Sequence, residues 1–560
     1  MATLGFGEYR PDVSSINQGH TDTVLNVLPR GDGYGPFLSH SVFTAAIAAQ
    51  ARGMFFARNS DGSITVFAGT STRLYQLDNT TLTWVDVSKG GSAYTALSSS
   101  AIWTFAQFNS VVIACQANTV PQAFTLGSSS AFDDLGGSPP QAAYVAVVNR
   151  FVVLSGLQSY PRRVQWSGLN AITTWTSGVT YSDSQDLPDG GNTRGVVGGE
   201  FGVIFQDSAI RRMQFSPGAD IIFQIDRLAR DVGTAFPYSV VDADGVVFAH
   251  TTKGFMMIDG SGAMKPIGKE RVDRTFAEAV DDTTPQLCIG APMPGSNVIL
   301  WAYRTEDYTG TGFNAVLAYD SVLDRWSPVE LEGWALASLA KPGLTLENLD
   351  TINSVAITGA ANNGSGLVRL TVATTAGWTT GDLKTIASVG GTTEANGNWN
   401  ITVVDGTHID LQLSTYANAY TSGGYVAGSV DALTVSFDDI TTATLGQLGK
   451  IDEDGFLGYF TGAVLEATVE TAEQSAVNRR TFVSGVYPLT DAVTVYGSIG
   501  RRENLQAAPT YSAEVAMNAE GRCPARVSTR FARARLRIPA GESWSFVTGV
   551  NPEFQDAGKR

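Results

Sequence analysis

The sequence predicts an all-β protein: a β-propeller platform that carries an inserted small β-barrel or sandwich module and is followed by a C-terminal β-domain. Three observations carry this expectation. Strand- and turn-forming residues dominate, with Gly at 60 of 560 positions, aromatics at 10%, and few of the Lys and Glu residues that favour helices. From about residue 50 onward, short β-prone runs alternate with Gly, Asn, Asp and Ser, as in antiparallel hairpins. One unit of about forty residues reads as four consecutive strands, the size of a single propeller blade.

That unit consists of runs 54–58, 64–69, 73–77 and 83–87, joined by Asn59-Ser60-Asp61-Gly62, Thr70-Ser71 and Asp78-Asn79-Thr80-Thr81. Similar units follow near 102–126, 143–175, 195–228, 238–267 and 286–329, with small turns such as Phe108-Asn109-Ser110-Val111, Val148-Asn149-Arg150-Phe151 and Asp242-Ala243-Asp244-Gly245. Roughly six or seven blades fit between residues 40 and 350, and closing them into a ring leaves no open sheet edge. Tandem β-sandwiches would give the same short strands and frequent turns, and are the competing architecture.

Near residue 345 Thr, Ala, Asn and Gly rise and charge falls until about residue 430. Runs 354–358, 367–373, 382–389, 398–404 and 408–413 within this stretch suit a small barrel or sandwich. Because run 431–437 resumes an alternating strand, the module reads as an insertion. The expected organisation is an N-terminal arm over 1–40, a propeller platform over 41–345 and 431–470, the inserted module over 346–430, and a C-terminal β-domain over 471–560. Runs 457–469, 492–499, 511–517, 527–538 and 543–550 supply the later strands.

A net charge of −16 argues against a protein whose main task is gripping nucleic acid by its phosphates. The charge is uneven, since residues 501–560 carry ten Lys or Arg against six Asp or Glu. Cys115, Cys288 and Cys523 are widely spaced and odd in number, so neither a disulfide framework nor a Cys-based zinc cluster is implied, and folding in a reducing cytoplasm is expected. Residues 1–11 lack the basic start and apolar core of a secretion signal, and no run approaches the ~20 apolar residues of a membrane helix.

Three stretches carry a family likeness. Asn26-Val27-Leu28-Pro29 followed by Gly33-Tyr34-Gly35-Pro36-Phe37 resembles the opening arm of podovirus tail nozzle and tail-hub proteins. Asn149-Arg150-Phe151-Val152-Val153, then Pro161-Arg162-Arg163-Val164-Gln165-Trp166-Ser167 and Trp175, resembles a nozzle blade, and Asp186-Leu187-Pro188-Asp189-Gly190-Gly191 with Gly198-Gly199 continues it. The inserted stretch, from Ile357-Thr358-Gly359-Ala360 through Thr392-Thr393-Glu394-Ala395-Asn396-Gly397 to Thr421-Ser422-Gly423-Gly424, is similar to a β-module of phage structural proteins. The resemblance implies a virion structural protein that is assembled in the bacterial cytoplasm and sits at the distal end of a short tail. It further implies a homo-oligomer, a hexameric ring contacting a tail adaptor and tail fibre or spike proteins, through which genomic DNA passes transiently towards a host surface.

The expectation is of no enzyme activity, no cofactor and no metal. His20, His40, His250 and His408 stand at no metal-ligand spacing. Neither a phosphate loop nor a Gly-x-Ser-x-Gly elbow occurs, and Gly364-Ser365-Gly366 reads as a turn. The carboxylate pairs Asp242/Asp244, Asp281/Asp282 and Glu306/Asp307 fall in expected turns, where Asp caps the backbone. Asp452-Glu453-Asp454-Gly455 opens like a calcium loop but lacks the remaining ligands, and Arg30-Gly31-Asp32 belongs to the N-terminal arm. Trp84, Trp103, Trp166, Trp301 and Trp326 read as blade core.

In run 531–538 alternation places Ala532, Ala534, Leu536 and Ile538 on one face and Arg533, Arg535 and Arg537 on the other. The basic face then either looks into solvent or forms an assembly interface with acids of a neighbouring subunit. The alternative function is a carbohydrate-binding or depolymerising tail protein, in which the propeller or inserted module engages host polysaccharide.

Overall fold

Turn chemistry sets the local structure. In the first blade Ser63 N–H donates to Asp61 Oδ1 (2.8 Å), Gly62 adopts φ 86°, and Asp78 Oδ1 accepts Thr80 N–H (2.7 Å), so strands Met54–Arg58, Ile64–Gly69, Leu74–Leu77 and Trp84–Asp86 fold back on one another. The Asp244-Gly245 turn, with φ 53° and 80°, is the mirror-image type whose twist matches flanking strands. A computed structural model describes residues 3–218, 221–340, 354–427, 446–475 and 479–556.

Six four-stranded antiparallel sheets follow in chain order, spanning 54–86, 104–134, 142–186, 193–230, 241–266 and 289–333. A seventh combines Ala335–Ala340, Gly446–Ile451, Phe456–Tyr459 and Ser41–Ala46. The last blade therefore joins an early strand to two that follow the insertion. Neighbouring blades share apolar layers: Phe67, Trp103 and Phe124 between the first two, Val203, Phe205 and Val247 between the fourth and fifth, and Leu300, Val329 and Leu448 between the sixth and seventh. Strand Ala335–Ala340 also neighbours Met54–Arg58, which closes the ring. The fold is all-β, and among the described residues these seven four-stranded sheets form a propeller, not a row of sandwiches.

Segment 1–40 is no free arm. Val27–Arg30 and Gly33–Pro36 form a hairpin in a six-stranded sheet with Cys523–Thr529, Thr481–Thr490 and Val547–Asp556, while Leu4–Gly5 pairs with the last of these. Val24–Leu25 joins a second sheet with Ala467–Glu470, Phe531–Ile538 and Tyr496–Arg502. Tyr34, Val469, Val486, Ile499, Leu536 and Val547 are buried in a core that continues into Phe255, Trp301 and Trp326 of the fifth and sixth blades. The sandwich thus takes in residues from 467 onward, earlier than the expected boundary at 470.

The inserted module is a closed six-stranded barrel, ordered Val355–Asn362, Val368–Val372, His408–Leu411, Gly397–Val403, Leu383–Ala387 and Tyr425–Val426. Ile357, Leu370, Ile386, Ile401, Ile409 and Val426 fill its interior. The expected strand 431–437 lies outside the described residues. The chain divides into two compact units, the terminal sandwich and the propeller without Leu77–Val85 in one, and the inserted barrel with Leu77–Val85 in the other.

Candidate functional site

The arginine strand packs its small and aliphatic residues inward, with Ala534, Leu536 and Ile538 all buried. Its basic face differs from the expected outward-looking one. Arg533 is only 6% exposed, and its guanidinium reaches Asp22 (2.7 Å), Glu470 (3.3 Å) and Glu473 (3.6 Å). Register places Arg535 opposite Glu470, which also accepts the Tyr511 hydroxyl (2.7 Å), and the Arg535 guanidinium lies 3.5 Å over the Tyr511 ring. Arg537 bonds Glu514 and Glu466 (2.9 and 2.8 Å) and covers Tyr496. Arg502 bridges to Glu473 through its Nε (2.8 Å).

The physical reason for the difference is that both faces of this strand are covered, one by the sandwich core and the other by acids of the same chain. Burial alone would lower the Arg533 pKa, but Asp22, Glu470 and Glu473 hold it above the usual guanidinium value. Arg537 is likewise raised by its bonds to Glu514 and Glu466. The acids Glu466, Glu470 and Glu473, spaced along one short segment, were the sequence signal that could have located these partners.

The propeller axis is the second candidate. The seven inner strands, from Met54–Arg58 to Ala335–Ala340, enclose a cavity of about 460 Å³. Its wall is apolar and aromatic, with Phe55 stacked on Phe105 at 5.8 Å, Tyr144 tilted against Tyr238 at 6.0 Å, and Val145, Val196 and Ile289 nearby. Tyr238 Oη accepts the Ile102 N–H (3.1 Å), and burial pushes both tyrosine hydroxyls up. Among the lining residues only Asp242 carries a carboxylate, raised by burial and accepting the Gly245 N–H (3.0 Å). Glycoside hydrolysis uses two carboxyl groups facing each other across the bond, and Asp244 sits in the hairpin turn instead.

The remaining sequence candidates are dispersed. Asp281 accepts Thr283 N–H and Thr284 Oγ1 (both 3.0 Å) and pairs with Arg304 (3.5 Å). Burial works to raise its pKa, but these partners hold it below the usual carboxylate range. Asp307 accepts the Thr305 hydroxyl (2.6 Å). Asp452 caps its own turn by accepting Phe456 N–H (2.8 Å), and Glu453 accepts the Gly312 N–H (2.5 Å). Arg30-Gly31-Asp32 forms the turn of the N-terminal hairpin.

His20 and His40 bond backbone carbonyls and His408 bonds Asp405, whereas His250 is enclosed by Phe236, Phe255 and Phe276, where burial lowers its pKa to about 4. Trp103, Trp166, Trp301 and Trp326 are buried, while Trp84, on the outermost strand of the first blade, is half-buried. All three cysteines are free and buried.

No protein-family model matches the chain, and no curated protein sequence matches it. Among solved structures it is similar to the WD40 β-propeller domain of Doa1, at 12% identity over 54% of this chain and 89% of that one, with a TM-score of 0.31. It is also similar to the computationally designed Ika8 protein, at 11% identity over 76% and 99% with a TM-score of 0.31. An extracellular domain from B. thetaiotaomicron aligns at 10% identity over 59% of this chain, with a TM-score of 0.33, and the match spans 44% of that longer chain. The propeller assignment stands on the strand order, not on these alignments.

Proposed function

We propose that the chain is a structural component of a short-tailed phage tail, one subunit of an oligomeric nozzle ring at the distal tail through which DNA leaves the virion. The observation that supports this reading best is the interlock of the two chain ends. The Val27–Arg30 and Gly33–Pro36 hairpin, which bears the nozzle-like motif, is built into the terminal sandwich, and that sandwich shares one continuous core with the fifth and sixth blades. Such an assembly resists opening under load, because Leu4–Gly5 pairs with Val547–Asp556 and holds the two segments together.

The blade-like motif supplies strands Phe151–Leu157 and Arg163–Trp166 of the third blade. A net charge of −16 suits a wall past which DNA slides without being held. In this reading the chain performs no catalysis. Its partners are further copies of itself, a tail adaptor, and fibre or spike proteins. Electron microscopy of purified protein and immunogold labelling of virions test the proposal. Rings in solution and label at the tail tip are expected; a monomer at all concentrations that is absent from particles would overturn it.

A further inference from the structure

At one end of the propeller, residues just ahead of four inner strands converge on a pocket of about 280 Å³. Arg52, Ile102, Leu287 and Trp334 line it together with Gln50 and Arg304. Arg52 stands apart from the other arginines of the chain's ion pairs. It is half-buried, yet among the described residues no carboxylate pairs with it and none lines the pocket. Burial lowers its pKa, and the Tyr238 hydroxyl is the one group that acts to raise it. The guanidinium is nonetheless held in place, because Nη1 donates to the carbonyls of Ser98, Ser99 and Ala101 (3.3, 3.0 and 3.3 Å). Its Nε and Nη2 make no hydrogen bond to the described residues, and neither atom is buried.

Nε and Nη2 form the edge of a guanidinium that grips both oxygens of one carboxylate. The chain uses that edge elsewhere. Arg163 holds Asp186 through Nε (2.7 Å) and Nη2 (3.0 Å), Arg369 holds Asp410 in the same way (2.6 and 2.8 Å), and Arg502 so grips Glu473. Arg52 presents the same edge to a pocket whose lining holds no acid. Three backbone carbonyls fix it beforehand, which lowers the ordering cost of binding.

Charge and shape set the class of ligand. Arg304 donates from Nη2 to Tyr308 O (3.0 Å), and its Nε pairs with Asp281 (3.5 Å), which offsets its charge. One net positive charge, that of Arg52, is left in the wall. Exposed Asp282 and Glu306 follow closely on this ion pair in the chain and oppose a second negative charge on the ligand. A monocarboxylate therefore fits better than a phosphate dianion. The rest of the wall is apolar and stiff: Ile102 and Leu287 stand beside Trp334, whose Nε1–H bonds Thr311 Oγ1 (2.8 Å), while Gln50 Nε2 bonds Thr311 O (2.8 Å). We infer that the pocket binds a small organic acid with an apolar body, its carboxylate gripped by Arg52. The inference does not depend on the tail reading.

The test is titration calorimetry of the full chain, wild type and Arg52→Lys, with benzoate and hexanoate, with their neutral amides, and with inorganic phosphate. A Kd on the order of 1 mM is expected for at least one of the acids, with its amide and phosphate at least about tenfold weaker. Arg52→Lys keeps the charge but not the fork, so it should lose affinity for the acid by about fivefold or more. If that variant fails to fold, the acid and amide compared on wild type decide in its place. The inference falls if neither acid binds at roughly 50 mM, if the amide or phosphate binds as tightly, or if folded Arg52→Lys binds the acid like wild type.

Discussion

Replacing Arg533 with Met separates a structural guanidinium from one free to serve an interface. Breaking a buried ion pair by removing one partner costs about 3–5 kcal/mol, because the other charge is left uncompensated. Here three acids face Arg533, and two of them, Glu470 and Glu473, are 0% and 1% exposed. Each keeps a second arginine, Arg535 for Glu470 and Arg502 for Glu473, and Glu470 also keeps the Tyr511 hydroxyl. The expected cost therefore sits at the low end, about 3 kcal/mol.

Arg537 provides the control. Its side chain is 25% exposed and its partners Glu466 and Glu514 are 51% and 39% exposed, so Arg537→Met should cost about 1 kcal/mol or less. Hydrogen exchange of the amides in Ala467–Glu470 and Phe531–Ile538 reads the sandwich directly, without requiring the whole chain to unfold in one step. Equal protection in wild type and Arg533→Met, or equal losses in the two variants, would refute the reasoning. A variant that keeps full protection but no longer forms rings would instead mark its arginine as an assembly contact.

Trp301→Ala should destabilise the propeller by about 3–5 kcal/mol in denaturant unfolding, since the ring is fully buried, stacks on Trp326 at 5.5 Å and donates to Ser239 O (2.8 Å). Native protein should take up no iodoacetamide at pH 8 and three equivalents in denaturant, because Cys115, Cys288 and Cys523 are buried and burial raises all three thiols, Cys523 to about 11. His250 has a folded pKa of about 4 against an ordinary 6.5, so the unfolded chain binds its proton first. Its contribution is complete above pH 6.5 and is lost as pH falls towards 4, about 3 kcal/mol in all. Asp273, raised by burial to about 6, acts in the opposite sense, favouring the fold as pH falls from 6 towards 3.8. Comparison with His250→Phe isolates the histidine slope, and an unchanged slope in that variant would exclude it.

The first blade was legible in the sequence nearly strand for strand, because Asn59-Ser60-Asp61-Gly62 and Asp78-Asn79-Thr80-Thr81 impose their turns through local bonds. Five of the six barrel strands were equally readable, and the short closing strand Tyr425–Val426 was missed. What local pattern could not supply was long-range pairing: Ser41–Ala46 finds Phe456–Tyr459 across the whole propeller, and Val24–Leu25 finds Ala467–Glu470. Alternation placed Leu536 and Ile538 correctly, yet it could not say that Glu470 would cover the opposite face. Trp84 follows the same logic in reverse, since an apolar neighbourhood in sequence did not reveal that its strand lies outermost in its blade.

The seventh blade also dictates a timetable. Strand Ser41–Ala46 is made early, but its partner Phe456–Tyr459 is synthesised only after six blades and the barrel, so a nascent chain on the ribosome carries an unclosed ring for most of its synthesis. The Asp22 to Arg533 bond waits longer still. Throughout that interval the exposed blade edges are open to wrong pairing, and slow translation or missing chaperones should lower the yield of this protein more than that of one whose ends are independent. Because Ala340 and Gly446 sit opposite each other in adjacent strands, a different insertion leaves their pairing intact, but every residue added to it lengthens the wait for that closure.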